Sequence, residues 1–214
     1  MIPPKLHFIW IGGGEFKESY KYAIRSAQLN TRFQIFLHTD DTTIEIPGVI
    51  IKLRTAPDIK VSCIAHLADI IRCDILYEEG GIYSDLDAIW LRNPWEYMDR
   101  KVVIGFSNQP YKILCNAIIM SEAGHPAIKK YREWLVSIMP CKKYWIPANP
   151  YHLWKDDPDV LMIKKKYFFH KNYKQIKNAT IDDIKDSIAV HLFASINELE
   201  SIYKNIFGEL FASF

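Results

Sequence analysis

The chain lacks the features that mark membrane proteins, secreted proteins and general nucleic-acid binders. None of its 214 residues falls in an uncharged apolar run near the roughly 18 residues that a membrane-spanning helix needs. The N-terminus has neither the charged start nor the small-residue cleavage site of a signal peptide. The formal net charge is only +2, which gives no global electrostatic reason to bind nucleic acid. We therefore expect a cytoplasmic protein with no transmembrane segment and no nucleic-acid partner.

Metal-site spacing is also missing from the cysteines, which are Cys63, Cys73, Cys115 and Cys141. The first two fall in one predicted helix, about 15 Å apart along its axis, which is too far for a disulfide. We interpret them as buried thiols in a reducing compartment, and this again favours the cytosol.

The glycine-rich segment Gly12–Gly14 matches neither of two common phosphate-binding motifs. It lacks the Lys-Ser/Thr ending of a P-loop, and it lacks the spacing of a dinucleotide-binding fingerprint. We interpret it as a flexible loop that lets the backbone approach another group closely.

The composition and the order of predicted strands and helices indicate one α/β domain. Hydrophobic residues make up 49% and charged residues 24% of the chain, as in ordinary globular proteins. A strand, a helix and two more strands are predicted at Leu6–Ile11, Glu15–Asn30, Phe33–Leu37 and Val49–Leu53, an order typical of a largely parallel sheet. The later predicted elements are a helix at Val61–Glu79, strands at Gly81–Leu91, Val102–Phe106 and Ile113–Met120, a helix at Pro126–Met139, a strand at Ile188–Phe193 and a helix at Ser195–Phe207.

Two acids, Asp85 and Asp87, interrupt the apolar, strand-like run Gly81–Leu91. In an extended strand they point to the same face, where their charges repel and burial of either one alone costs free energy. A divalent cation removes both problems, and carboxylate oxygens suit magnesium, manganese or calcium. The alternative is a strand end that runs into solvent, because Asp-x-Asp alone is weak evidence. A second such pair, Asp157–Asp159, lies in a polar turn, whereas the first is framed by β-forming residues and a glycine pair.

The helix predicted at Val61–Glu79 leads directly to these acids and is expected to end at Gly80 as its C-cap. It carries Asp69 and Arg72, three positions apart, on a face outside the apolar stripe. One interpretation is an exposed ion pair that adds little to stability. The other is a pair that belongs to the same site as the two acids. The predicted apolar stripe consists of Ile64, Leu67, Ala68, Ile71 and Ile75.

Three later segments carry weaker signals. Residues 140–158 are rich in proline, tyrosine and tryptophan, as expected for an acceptor groove or a lid. Six lysines and no acid lie between residues 160 and 180, which indicates a solvated face, with contact to phosphate or to an anionic surface as the alternative. The aromatic residues there are interpreted as packing residues rather than a single-strand-binding surface. His191 sits within a predicted strand, where a core histidine is the ordinary interpretation and a metal ligand the other.

Three blocks of sequence together carry a family resemblance. They are Ile2–Gly13, Asp69–Arg72 and Gly80–Asp87, the last reading Gly-Gly-Ile-Tyr-Ser-Asp-Leu-Asp. In order and spacing they resemble glycosyltransferases of the GT-A fold with a DXD sugar-binding region. That group includes fungal initiating mannosyltransferases, bacterial capsule transferases and, more distantly, glucosylating clostridial toxins. Weaker echoes follow at Asn116–Ser121 and at His191. The compact form is also similar to transferases encoded by large algal (chlorella) viruses.

The resemblance implies a single GT-A domain over residues 1–214, with a central, mostly parallel mixed sheet flanked by helices. Residues 1–92 would bind the nucleotide and residues 93–214 would form the acceptor side. It implies a hexosyltransferase that moves a hexose from a nucleotide-diphosphate sugar, most simply a UDP-sugar, to a hydroxyl of a glycan or glycoprotein acceptor. It also implies Mn²⁺ (or Mg²⁺) as cofactor and retention of the anomeric configuration, with front-face attack favoured because no covalent nucleophile is evident.

The resemblance assigns roles to individual residues of this chain. The metal ligands would be Asp85, Asp87 and His191. The catalytic residues would be Asp69, Arg72, Asp85 and Asp87. The nucleotide sugar would be bound by Trp10, Ile11, Gly12, Asp69, Arg72, Tyr83, Ser84, Asp85 and Asn116, with Trp10 stacked on the base and Asn116 facing the sugar. One departure is that Ser195 is followed by Ile196 where the family often has tryptophan, which removes an indole contact to the phosphates.

Two other kinds of protein also place acids in this way. A phosphohydrolase of the haloacid-dehalogenase kind uses Asp-x-Asp, but on its opening strand and followed by Thr or Val, where this chain has three earlier strands and Ile89. A non-catalytic sugar-binding module explains the aromatic residues and carboxylates but leaves the spacing of Asp69 and Arg72 without a reason. A structural scaffold explains least.

Overall fold

The computed structural model describes residues 1–59, 61, 63–138, 149–168 and 176–192. Seven strands form the central sheet in the order β3-β2-β1-β4-β7-β6-β8. They are β1 Lys5–Trp10, β2 Gln34–Thr39, β3 Ile50–Leu53, β4 Gly81–Ser84, β6 Val102–Asn108, β7 Ile113–Ser121 and β8 Val160–Ile163. Two short strands, β5 Ala88–Trp90 and β9 Ala189–His191, pair separately. The helices are α1 Glu18–Thr31, α2 Ile64–Glu79, α3 Pro126–Ile138, α4 Tyr151–Trp154 and α5 Ile181–Ile184.

The sheet is mixed but mostly parallel, as predicted. Strand β1 pairs in parallel with β2 and β4, and β2 pairs in parallel with β3. Strand β7 is antiparallel to both β4 and β6, and β8 is parallel to β6, so β7 alone of these seven runs in the opposite sense. The first residues of β7 therefore lie beside the carboxyl end of β4.

Both faces of the sheet are covered, which explains why the strands read as almost continuous apolar runs. On one face Leu6 and Phe8 of β1 belong to a core cluster that includes Ala23 and Ile24 of α1. On the other face Ile9 belongs to a cluster formed largely with α2 and α3. The alternation of side chains along β1 thus sends successive residues into two separate cores.

Helix α2 begins three residues later than predicted and ends where predicted. Cys63 is its N-cap residue and is exposed, so the prediction of a buried thiol in the helix is wrong for Cys63 and right for Cys73. The helix ends at Gly80, whose φ of 63° is a conformation that glycine adopts without a Cβ penalty. In the predicted apolar stripe, Ile64 is 52% exposed because it lies in the first turn, beyond the edge of the sheet.

The prediction of one continuous strand at Gly81–Leu91 is wrong. The backbone leaves the sheet after Ser84, turns through Asp85–Asp87, where the N–H of Ala88 donates to the carbonyl of Asp85 at 3.1 Å, and resumes as β5. Strand β5 then pairs with β9 instead of with the main sheet. The indole of Trp90 explains part of this path, since it is fully buried and donates to the hydroxyl of Ser84 at 3.1 Å.

Among the strands and α-helices of the described residues, β8, α4 and α5 were not predicted. Four consecutive apolar residues, Val160–Ile163, were the available signal for β8. The predictions for Cys141, Ser195, Ile196, the helix at Ser195–Phe207 and residues 140–148 lie outside the described residues. Among the described residues, no helix is both long and apolar enough to span a lipid bilayer.

Candidate active site

The predicted site residues meet at one edge of the sheet, where β1 and β4 end and β7 begins. Parallel strands bring their carboxyl ends to the same edge, so Trp10 and Ser84 arrive there from neighbouring strands. Asp85 and Asp87 follow directly in the turn after β4. Asn116 enters from the antiparallel β7, whose Ala117 carbonyl accepts the N–H of Asp85 at 2.8 Å.

Asp85, Asp87 and His191 form a cluster whose ligand atoms all lie within 4.8 Å of one another. The Nε2 atom of His191 is 3.0 Å from an oxygen of Asp87 and 3.7 Å from an oxygen of Asp85. The pairing of β5 with β9 creates this arrangement, because Ala88 faces His191 in the register and Leu192 donates its N–H to the carbonyl of Asp87 at 2.9 Å. The fold therefore brings together residues more than a hundred positions apart in the chain.

Two carboxylates and one imidazole are a donor set that fits a hard or borderline divalent cation such as Mn²⁺ or Mg²⁺. The three side chains are all at least partly buried, which limits competition from water. Mutual repulsion of the two acids favours any positive charge between them. The chemistry of this cluster thus agrees with the predicted metal site.

Arg72 is the centre of a second, buried cluster beside the first. Its guanidinium lies 2.8 Å from an oxygen of Asp69 and 3.4 Å from an oxygen of Asp85. It also donates to the backbone carbonyl of Asn116 at 2.5 Å and lies 4.3 Å from the ring centre of Tyr83. Asp69 and Arg72 are only 4% and 5% exposed, so the interpretation as an exposed ion pair is wrong.

Burial and charge act in opposite directions on these groups. Burial raises the pKa of Asp69 to about 6, although Arg72 and a hydrogen bond from Asn116 oppose the rise. Burial, followed by repulsion from Asp87, raises the pKa of Asp85, against the pull of Arg72. Burial alone would lower the pKa of His191, but the carboxylate of Asp87 raises it well above the usual value. Such opposed shifts are typical of functional sites.

The side chains at the end of β4 support the same two clusters. The hydroxyl of Tyr83 donates to an oxygen of Asp85 at 2.5 Å, so it orients that carboxylate. Ser84 is fully buried, and its hydroxyl donates weakly to the carbonyl of Asp85 at 3.3 Å while accepting the indole N–H of Trp90. The alternation along the strand explains why these neighbours point in opposite directions.

Trp10, Ile11 and Gly12 form the far side of the site, at the end of β1. The ring of Trp10 contacts Phe16 and Tyr20, with centroid distances of 5.7 and 5.1 Å. Gly12 has a φ of 100°, and a Cβ there would meet the side chain of Ile64 at 2.3 Å, so no larger residue fits without movement. The N–H of Gly12 donates to a carboxylate oxygen of Asp40 at 3.0 Å, while Ile11 is buried beneath the loop.

Four contributors to the site were missed from the sequence. Phe16 lies just before α1 and Tyr20 in its first turn, and their four-residue spacing within the predicted helix was the available signal. Tyr131 of α3 accepts a hydrogen bond from the side-chain amide of Asn116 at 3.1 Å. The thiol of Cys115 is hydrogen-bonded with His191. No local sequence pattern predicts the roles of Tyr131 and Cys115, because their contacts depend on how distant elements pack.

Comparison with known families supports the resemblance found in the sequence. Residues 15–105 match a family model described as "Glycosyltransferase sugar-binding region containing DXD motif". This stretch contains all four residues that were predicted to be catalytic, and it ends before Asn116 and His191. No protein in a search of curated sequences matches the chain.

Solved structures share the fold at low sequence identity. The structure of the "PaToxG Glycosyltransferase" superimposes with a TM-score of 0.51 and 22% identity, covering 64% of this chain and 61% of that one. A glycosyltransferase "involved in the glycosylation of the major capsid of PBCV-1" superimposes with a TM-score of 0.52 and 7% identity, covering 92% of this chain and 96% of that one. The predicted GT-A-like α/β fold is confirmed, and the matched DXD region agrees with the resemblance found in the sequence.

Proposed function

We propose that the chain is a metal-dependent hexosyltransferase that moves a hexose from a nucleotide-diphosphate sugar to a hydroxyl of a glycan or glycoprotein, with retention of configuration. UDP-sugar is the proposed donor. The observation that carries this proposal is the meeting of the two clusters at one sheet edge. Asp85 belongs to both, since it lies near His191 on one side and near Arg72 on the other.

Mn²⁺ (or Mg²⁺) would be held by Asp85, Asp87 and His191. When bound there, such a cation supplies Lewis-acid stabilisation of a diphosphate leaving group. The buried cluster around Arg72 complements this chemistry with a fixed positive charge. Burial disfavours charge on Arg72, but Asp69 and Asp85 raise its pKa well above the ordinary value, so it stays protonated at neutral pH.

In the proposed reaction the bond between the sugar carbon and the β-phosphate oxygen breaks, and a bond forms from that carbon to the acceptor oxygen. Negative charge grows on the departing diphosphate, and its leaving oxygen takes the proton that the acceptor hydroxyl gives up in the proposed front-face attack. Arg72 is placed to donate hydrogen bonds to that charge, and its partners hold it in position before the substrate binds. Asp69, buried beside it, would accept hydrogen bonds from sugar hydroxyls.

The donor would lie along the sheet edge from Trp10 to Asn116. Trp10 would stack on the base, and Ile11 and Gly12 would contact the nucleotide through their backbone, since Gly12 has no side chain. Tyr83, Ser84 and Asp85 would line the phosphate and sugar part. Residues 1–92 would then form the nucleotide-binding part of one domain, and residues 93–214 the acceptor side.

A cytoplasmic location, within the host cytoplasm if the gene is viral, is proposed from the sequence composition alone. A role in glycan biosynthesis follows from the proposed reaction. The phosphohydrolase alternative has no support in the fold, because the acids follow β4 and not the opening strand.

A panel of nucleotide sugars in a thermal-shift assay tests the proposed function. We expect UDP-sugars to raise the melting temperature of the protein only when Mn²⁺ or Mg²⁺ is present. Metal without nucleotide and nucleotide with a chelator are the controls. A protein that no nucleotide sugar stabilises under any of these conditions would contradict the proposal.

A further inference from the structure

The side chain of Asn116 is held by two groups, and one of them lies outside the DXD region. Its amide nitrogen donates to Asp69 at 2.8 Å and to the hydroxyl of Tyr131 at 3.1 Å. A primary amide has only two hydrogens to donate, so both are used. Among the described residues, no donor binds its carbonyl oxygen, Oδ1, and the side chain is partly exposed.

The two bonds fix different properties of the amide. The carboxylate of Asp69, paired with Arg72, only accepts, so a flipped amide would set two oxygen atoms against each other at the 2.8 Å contact. Asp69 therefore fixes which side of the amide carries the nitrogen and which carries the oxygen. The bond to Tyr131 decides the plane of the amide, since one bond alone permits rotation about the side chain.

Tyr131 is rigid enough to act in this way. It is fully buried, and its ring contacts Trp154 and Trp134 with centroid distances of 5.1 and 6.1 Å. Trp154 is fixed in turn, because its indole N–H donates to the carbonyl of Ala127 at 3.1 Å. A hydroxyl on so well packed a ring has little freedom to leave its partner.

We propose that Tyr131 is a positioning residue that aims the carbonyl oxygen of Asn116 at the sugar part of the donor. The inference rests on the proposed function. With its amide plane fixed, Oδ1 accepts a hydrogen bond from one sugar hydroxyl. The site therefore takes hexoses that carry a free hydroxyl at that position and discriminates against the corresponding deoxy or fluoro sugars, which have no hydrogen to donate.

The test compares binding of UDP with binding of the UDP-sugar that stabilises the parent protein most, both with Mn²⁺, by calorimetry. Tyr131→Phe removes only the hydroxyl. We expect affinity for the UDP-sugar to fall about fivefold while affinity for UDP stays within about twofold, because only the sugar reaches Asn116. A second variant, Asn116→Ala, removes the acceptor itself and should give the same pattern. The variant Tyr131→Phe should also lose the parent's preference for the hydroxylated sugar over one monodeoxy analogue.

Trp134→Phe is the matched control, since it loosens packing on the Tyr131 ring without removing a hydrogen bond. It should lower stability but leave the ratio of the two affinities unchanged. A ligand-free measurement adds an independent readout: in Tyr131→Phe one side-chain amide proton of Asn116 should shift and exchange faster in NMR spectra.

Equal affinity ratios in the parent, Tyr131→Phe and Asn116→Ala would overturn this inference and leave the proposed function standing. Unchanged amide resonances of Asn116 in Tyr131→Phe would also overturn it. A parent protein that binds UDP with Mn²⁺ but no UDP-sugar would reject the inference alone, whereas one that binds neither would reject the proposed function as well.

Discussion

Two groups of buried titratable residues can be compared, one at the sheet edge and one on β1 and β2, and they differ in the charges that surround them. At the sheet edge, Asp69, Arg72 and His191 stand among opposite charges, and burial is opposed by Coulomb attraction. In the middle of the sheet, His7 and His38 are buried side by side, and burial lowers the pKa of His7 to about 4 and that of His38 to about 3. The comparison teaches that neighbouring acids keep the buried cations Arg72 and His191 charged, whereas His7 and His38, which hydrogen-bond each other, are held neutral.

The histidine pair has a single consistent pattern of hydrogen bonds. Nε2 of His7 lies 3.1 Å from the carbonyl of Gly80, which can only accept, so this nitrogen carries the hydrogen. Nδ1 of neutral His7 then accepts from Nε2 of His38 at 3.0 Å. An added proton on either ring has no acceptor in this chain of bonds. The histidine pair is thus held neutral, whereas Arg72 and His191 at the sheet edge are held charged.

The largest expected effect comes from removing the guanidinium of Arg72 from the buried group at the sheet edge. Arg72→Ala leaves Asp69 and Asp85 without their charge partner in a buried site. We expect the free energy of unfolding to fall by about 3–5 kcal/mol, as for other broken buried ion pairs, and affinity for UDP to fall as well. Urea titration and calorimetry measure the two changes.

Arg132→Ala is the matched control, because this arginine also pairs with an acid of α2, Asp74, but lies nearer the surface. This substitution should lower the free energy of unfolding by about 1 kcal/mol or less and leave UDP binding intact. If Arg72→Ala lowered the free energy of unfolding and the affinity for UDP no more than Arg132→Ala does, the buried group around Arg72 would not depend on charge pairing.

The histidine pair predicts a loss of stability in mild acid. Because the pKa of each folded-state histidine is lowered, the unfolded chain binds protons that the folded chain refuses once the pH falls below about 6.5. The contribution of the histidines to stability should therefore decrease as the pH falls from about 6.5 to about 4, by on the order of 3 kcal/mol for His7.

Urea titrations at several pH values measure this slope. The variant His38→Gln keeps a donor for His7 and removes one proton-binding group, so its stability should depend less on pH in this range. His152→Gln, at an exposed position, is the control and should keep the parent slope. Protonation of Asp69, whose pKa burial raises to about 6, opposes the histidine slope in this range, so the parent is compared with His38→Gln. Equal slopes in these two proteins would show that the pair is not held neutral.

Removing a proposed metal ligand should weaken Mn²⁺ binding without unfolding the protein. Asp87→Ala removes one of three proposed ligands, so affinity for Mn²⁺ should fall at least about 100-fold, and Mn²⁺-dependent donor binding should disappear. Circular dichroism should stay unchanged. The other Asp-x-Asp pair supplies the control, because Asp157→Ala lies in a surface turn and should bind Mn²⁺ as the parent does. Undiminished binding by Asp87→Ala would reject its role as a ligand.

Sequence reasoning reached the parts of this site that are local and missed the parts that depend on packing. Asp69, Arg72, Asp85 and Asp87 lie close together in the sequence, so their spacing alone indicated the site. The break after Ser84 was missed because the next residues favour strand, and only the buried indole of Trp90 and the pairing with β9 redirect them. Tyr131 was missed because its hydrogen bond joins α3 to β7, and no periodicity records such a contact.

The smallest expected effect concerns recognition of the base, which we assign to an aromatic ring and to none of the titratable residues compared above. The ring of Trp10 is partly buried against Phe16 and Tyr20, so it is held in a fixed plane at the end of β1. Stacking on a base typically contributes about 1–3 kcal/mol, and this ring contributes orientation in addition. Trp10→Ala should reduce the preference for UDP over GDP by about fivefold while leaving Mn²⁺ affinity unchanged, because Trp10 supplies no atom to the cluster of Asp85, Asp87 and His191. Trp95→Ala, at a site 59% exposed, should change neither. Competition binding of UDP and GDP measures the preference, and equal discrimination in Trp10→Ala and the parent would place base recognition elsewhere in the chain.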